Sequence, residues 1–155
     1  MAIADLICKK GGTMTRIAIG TDHRGYAHKE YIIQVLSEYN WIDVGAFTNE
    51  RSDYPLFAHA VVQEILNKKT DLGVLICATG IGMAIAANRY QHIYAGVVWD
   101  VRIAELARAH DNVNVLVIPS DYIDLENTVL CITTWLQTKF LHGRYAQRIA
   151  MIDEK

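Results

Sequence analysis

The chain has 155 residues, 52% apolar or aromatic and 21% charged, and fifteen Lys and Arg against seventeen Asp and Glu leave a net charge of −2. That composition supports one domain with a real core and excludes a disordered or low-complexity chain. It carries no basic surplus for nucleic acid and no apolar run long enough to span a membrane, although two or three well-placed cations would still suffice for a phosphate.

Cys8, Cys77 and Cys131 stand at wide spacing without CxxC, so neither a disulfide framework nor a zinc site is indicated and a cytoplasmic chain is expected. Residues 1–13 lack the apolar stretch of a signal peptide and read as a disordered extension ahead of a domain over 14–155. Ile17–Gly20 is the first strand and Thr21–Gly25 a polar turn. Ile32, Val35 and Leu36 recur at helical spacing and predict a helix over Tyr26–Tyr39. Trp41–Gly45 reads as the second strand and Ala46–Arg51 as a loop. Pro55 suits an early helical turn, ahead of Phe57, Val61, Val62, Ile65 and Leu66 on one helix face. Gly73–Cys77 is the third strand, and a helix starts near Gly80. Tyr94–Trp99 is a strand, Val101–Ala109 a helix and Val113–Ile118 a strand. Leu125–Leu141 is a long helix and Arg144–Ile152 a tail helix. Five strands alternating with helices predict a three-layer α/β/α, doubly wound domain on a five-stranded parallel sheet.

Open parallel sheets bind ligands beyond the carboxyl ends of their strands. The first strand leads to Asp22 and His23, and the loop after the second reaches Asp53. The third leads to Cys77 and the turn Thr79-Gly80-Ile81-Gly82. His110, Asp111 and Asn112, closing the helix before the fifth strand, are counted with these as a fourth such end. Two glycines at a strand-to-helix turn let backbone N–H groups converge on an anion, whether phosphate or oxyanion. The segment is not GxGxxG and lacks the lysine of a P-loop, so nucleotide binding is not indicated.

Each candidate has two readings. Cys77 is either a small core residue or a thiol whose pKa is lowered at the positive end of a helix, able to act as base or nucleophile. Asp22 and His23 are either a helix cap with a bystander imidazole or an acceptor beside a proton carrier. His110 either closes its helix as a favourable cation or takes part in the chemistry. Arg144 and Arg148, four residues apart, share a helix face that is either solvated or a phosphate grip. His28, His59, His92, His142 and Cys131 read as structural. No spacing such as HExxH occurs, so neither metal nor cofactor is expected.

Taken together and in order, Ile17–Gly25 (IAIGTDHRG), Ile42–Gly45 (IDVG), Asp53-Tyr54-Pro55, Leu75–Asn88 (LICATGIGMAIAAN) and Gly143–Ile149 (GRYAQRI) resemble the type B ribose-5-phosphate isomerase family. The galactose-6-phosphate isomerase subunits share its fold, but ICATGIGM is closer to the pentose-phosphate branch. The resemblance implies interconversion of ribose 5-phosphate and ribulose 5-phosphate through a cis-enediolate. It makes Cys77 the base, and gives the amides of Thr79, Gly80, Ile81 and Gly82 the enediolate oxygens. It assigns opening of the furanose ring to His110 with Thr79 and Asp53. It puts His23, Arg144 and Arg148 on the phosphate and Asp22 on sugar hydroxyls. It further implies sheet order 2-1-3-5-4 and a homodimer, or a dimer of dimers, with sites built across the interface.

The sequence departs from the family pattern at several of these places. His110-Asp111-Asn112 stands where His-Asn-Asp is usual, so Asp111 brings a charged acceptor where a neutral amide would meet the substrate. Pro119-Ser120-Asp121 stands where Gly-Ser-Arg is common, which implies one lost phosphate contact. Tyr145 replaces a common His, and Ala78 a common Gly. Two alternatives therefore stand beside the leading expectation: an isomerase of another pentose or hexose phosphate, and a non-catalytic sugar-phosphate-binding protein. A phosphoacceptor domain of the response-regulator type would want an acidic residue where Cys77 ends the third strand.

Overall fold

The predicted strands all form. β1 (Arg16–Thr21), β2 (Asn40–Asp43), β3 (Gly73–Cys77), β4 (Ala95–Val97) and β5 (Val115–Pro119) make one parallel sheet in the order β2-β1-β3-β5-β4. This is the expected order. The structure, a computed structural model, describes residues 15–154; the extension expected over residues 1–13, and Cys8 within it, lie outside the described residues.

Strand periodicity divides the core in two. Ile17, Ile19, Val74, Ile76, Leu116 and Ile118 point to one face. There they meet α1 (Tyr26–Val35), α4 (Val101–Asp111) and α5 (Leu125–Gln137) through Ile32, Ala104, Cys131, Ile132 and Trp135. Ala18, Leu75, Cys77, Val115 and Val117 point to the other face, against α2 (Tyr54–Leu66) and α3 (Ile81–Ala87) through Ala58, Val61, Val62, Met83 and Ala87. The three-layer expectation is met. Each of the larger fully buried aliphatic side chains contributes roughly 1.5–3 kcal/mol of burial. α6 (Arg144–Asp153) packs outside this sandwich, on α4. Among the described residues no helix is long and apolar enough to cross a membrane.

Several element ends differ from expectation, for local reasons. α1 stops at Val35, short of Tyr39: Leu36 leaves helical geometry, and its carbonyl accepts the Trp41 indole N–H at 2.8 Å. α5 stops at Gln137, short of Leu141, because Thr138 turns extended and its hydroxyl donates to the Thr134 carbonyl at 2.7 Å. α4 runs on past Ala109 to Asp111 and ends at Asn112, whose φ of 49° is a left-handed conformation that asparagine tolerates well. β2 ends at Asp43, where the Asp43 carboxylate turns the chain by accepting from the Gly45 amide. β4 shortens to an edge strand, and β5 begins at Val115 because the Val113 amide is bonded back to Ala107 in α4.

Candidate active site

Cys77 is the last residue of β3, pointing toward the α2–α3 face and only 5% exposed. The chain then turns through Ala78 and Thr79 to Gly80, whose φ of 74° suits a residue without Cβ. Thr79 Oγ1 accepts from the Ile81 amide at 3.3 Å, which shapes the turn. Gly82 lies so close to Tyr54 that a Cβ would fall 2.6 Å from the phenol ring, so a side chain there would have to displace that ring. Burial pushes the Cys77 thiol up, against the opposing pull of the Gly80, Met83 and Thr79 amides; the Asp22 carboxylate adds to the rise. This overturns the expectation of a thiol lowered by its helix end. α3 has seven residues, and desolvation outweighs what that short helix and its amides supply.

Asp22 and His23 follow β1 at the same edge of the sheet. Asp22 is buried and caps a single 3-10 turn over His23–Gly25, its Oδ1 accepting from the Arg24 amide at 2.9 Å. Gly25 makes the turn's close approach feasible, since a Cβ there would lie 2.3 Å from Thr21 Oγ1 and 2.4 Å from Ile76 Cγ2. His23 is held by Ser52. Its amide donates to Ser52 Oγ at 3.1 Å, and its Nδ1 lies 3.2 Å from both the amide and the carbonyl of Ser52. The next residue, Asp53, precedes α2, but its carboxylate takes no amide of that helix and is exposed. The turn after β5 closes this edge: the Ser120 and Asp121 amides donate to the Cys77 and Ala78 carbonyls at 2.9 and 3.1 Å. Asp121, where the resemblance leads one to look for Arg, instead pairs with Arg24 at 2.5 Å.

His110 does not belong to this edge. The expectation of a fourth strand end fails because α4 runs antiparallel to the strands and ends where they begin. Eleven residues of helix span about 16 Å, so His110 and Asp111 sit at the opposite edge from Cys77 in the same chain. Arg144 and Arg148 join them there, because the Leu141 amide donates to the Ala109 carbonyl at 3.0 Å and brings the start of α6 to the end of α4. Tyr145 stacks on the His110 imidazole with centroids 4.2 Å apart and planes at 7°. Arg144 Nη2 donates to the Tyr145 hydroxyl at 3.0 Å, and both guanidiniums approach its ring. The predicted residues thus form two clusters: Asp22, His23, Asp53, Cys77 and Thr79–Gly82 at one edge, and His110, Asp111, Arg144 and Arg148 at the other.

The model of the Ribose/Galactose Isomerase family matches residues 17–152. The chain belongs to that family. Among its relatives, ribose-5-phosphate isomerase B of Escherichia coli strain K12 is 38% identical over 141 residues, covering 90% of this chain and 95% of the relative. The ribose 5-phosphate isomerase of Thermotoga maritima superposes with a TM-score of 0.89 at 41% identity, covering 92% of this chain and all of the other. The Mycoplasma genitalium ribose-5-phosphate isomerase B, whose structure holds bound ribulose 5-phosphate, has a TM-score of 0.85 at 35% identity, with 91% and 96% covered. The fold and the resemblance read from the motifs therefore stand.

Four residues of these clusters are given no site role by the sequence alone. Ser52 and Tyr54 flank Asp53, and that adjacency was the available signal. Arg24 follows His23, but nothing in the sequence pairs it with Asp121, ninety-seven positions on. Tyr145 was read as a departure, although its place between Arg144 and Arg148 was a hint. The remaining histidines vary in their surroundings: His28 Nε2 lies 3.0 Å from the Ile123 carbonyl, and His59 Nδ1 2.7 Å from the Tyr90 hydroxyl. Cys131 is fully buried, as expected. Among the described residues no group of three or more His, Cys, Asp or Glu side chains is placed to hold a metal ion.

Proposed function

We propose that this chain interconverts ribose 5-phosphate and ribulose 5-phosphate, with Cys77 carrying the proton between C2 and C1. The observation that supports this most directly is a buried thiol closing β3 beside a glycine turn, in a member of this family. Isomerising an aldose needs a base at an acidic C–H and donors for the enediolate that forms. The Cys77 thiolate takes the C2 proton and the resulting thiol returns it to C1, so the residue is regenerated. A thiol held high by burial is a stronger base once ionised, at the cost of a smaller thiolate fraction at neutral pH. The Thr79, Gly80, Ile81 and Gly82 amides hold the enediolate oxygens. Asp22 meets sugar hydroxyls, and His110 acts on the furanose ring with Thr79 and Asp53. His23, Arg144 and Arg148 hold the phosphate, and Asp111 borders it.

This reading requires a homodimer. Cys77 and His110 lie at opposite edges of one chain, so a complete site needs the first cluster of one copy to face the second cluster of another. A groove of about 970 Å³ beside β4, α4 and α6, lined by Tyr94, Leu106, Asp111, Ile149 and Ile152 among others, is large enough to receive part of that copy. The exposed Ile81 and Ile85, one turn apart on α3, are the apolar surface it covers. The unpaired thiols of Cys77 and Cys131 suit a reducing cytoplasm.

Asp111 favours one second reading. Its exposed carboxylate would accept from an extra hydroxyl, which suits another pentose or hexose phosphate. The test is solvent-deuterium incorporation at C1 or C2, measured with a panel of pentose and hexose phosphates. Exchange and turnover with ribose 5-phosphate are expected. Exchange confined to another sugar phosphate would select the second reading, and binding without exchange would remove both.

A further inference from the structure

We infer that Tyr145 is a positioning residue that assembles the ring-opening His110 and the phosphate-binding Arg144 and Arg148 into one substrate-binding unit, an inference that rests on the proposed function. The ring is half-buried between two elements that share no strand or turn, and it touches all three side chains. One face lies parallel on the His110 imidazole at 4.2 Å. The Arg144 guanidinium carbon is 5.0 Å and that of Arg148 5.9 Å from the ring centroid. The hydroxyl accepts from Arg144 Nη2 at 3.0 Å.

Physical consequences follow from each contact. Arg144 and Arg148 are exposed and long, and an unrestrained arginine loses substantial rotamer freedom when it binds an anion. A hydroxyl that accepts from one guanidinium, and a ring face that attracts both, fix part of that geometry before ligand arrives. The stack fixes the plane of the imidazole, and so the direction in which its ring nitrogens point. The contributions are separable in chemistry: the hydroxyl serves Arg144 alone, whereas the ring stacks on His110 and lends its face to both guanidiniums. Losing the hydroxyl therefore acts on phosphate affinity, and losing the ring acts on ring-opening geometry as well.

The experiment compares wild type, Tyr145→Phe and Tyr145→Leu in steady-state turnover of ribose 5-phosphate and in calorimetric binding of inorganic phosphate. Tyr145→Phe keeps the stack and loses the acceptor, so KM rises and phosphate affinity falls by about three- to tenfold, with kcat changed less than about twofold. Tyr145→Leu loses both and adds a drop in kcat of about tenfold or more. A merely structural role would lower kcat in both variants together, along with thermal stability, and would overturn the inference. Equal phosphate affinity in wild type and Tyr145→Phe, or no phosphate binding by wild type, would also overturn it. Absence of turnover in wild type that still binds phosphate would instead overturn the proposed function, leaving the calorimetric comparison to decide the role of Tyr145.

Discussion

The Arg24 guanidinium and the Asp121 carboxylate meet at 2.5 Å, joining the turn after β1 to the turn after β5 at the edge of the sheet that carries Cys77. Both side chains are substantially exposed, so the pair adds no more than about 1 kcal/mol to stability. Its effect on ligand is larger in kind. Asp121 neutralises the cation that adjoins His23, which is proposed to hold the phosphate. Asp121→Asn should free Arg24 and lower KM for ribose 5-phosphate by about threefold to tenfold, without a change in thermal stability. An unchanged or raised KM would mean that Arg24 does not reach the phosphate.

Cys77→Ala should lower kcat by on the order of 10²–10⁴, the usual contribution of a positioned base. Binding of ribose 5-phosphate should persist, because the amides and cations that hold it remain. The wild-type rate has a further signature. Because burial holds the thiol above its ordinary value near 9, the thiolate fraction grows through neutral pH and beyond 9. Turnover should therefore climb about tenfold per pH unit on that limb while kcat is limited by proton transfer. A flat rate between pH 7 and 9 would place the base elsewhere.

The sheet was legible because its signals are local. Ile17–Gly20, Gly73–Cys77 and Val115–Ile118 are apolar on both faces, as a doubly covered parallel strand must be, and each is followed by polar or glycine-rich residues. The helix ends were less legible. The Trp41 indole that takes the Leu36 carbonyl shortens α1, and no periodicity within the helix could announce it. The placement of His110 failed for a different reason. Proximity in sequence to β5 suggests proximity to its carboxyl end, whereas a crossover helix delivers its last residue to the other edge. The raised Cys77 thiol was also hidden, since a helix N-terminus can be read from glycines but desolvation depends on everything packed around the sulfur.

Asp111 is exposed on α4, one residue beyond His110 and next to the left-handed Asn112. A carboxylate there opposes the phosphate that Arg144 and Arg148 are proposed to hold. Asp111→Asn should therefore tighten inorganic phosphate binding by about threefold to tenfold and leave the fold intact. The gain should shrink in high salt, as a screened charge effect does. An unchanged or weaker affinity would show that the Asp111 charge does not oppose the phosphate.

Cys131 tests the core in the same terms. Fully buried against the sheet, its thiol is pushed up to about 11 by desolvation, with smaller contributions from Asp100 and Asp124. A group that holds its proton more tightly in the folded state stabilises the fold fully below its unfolded pKa, near 9, and loses that contribution as pH rises through 11. That rise corresponds to about 2–3 kcal/mol. Tyr94, pushed up to about 12 by desolvation and by Asp153, acts in the same sense at higher pH. Urea unfolding at pH 7, 9 and 11 should show stability falling from 9 to 11 in wild type. In Cys131→Ser, which cannot ionise, stability should start lower and fall by about 2 kcal/mol less over that interval. Parallel losses in the two proteins would assign the alkaline instability to Tyr94 or to groups outside the core.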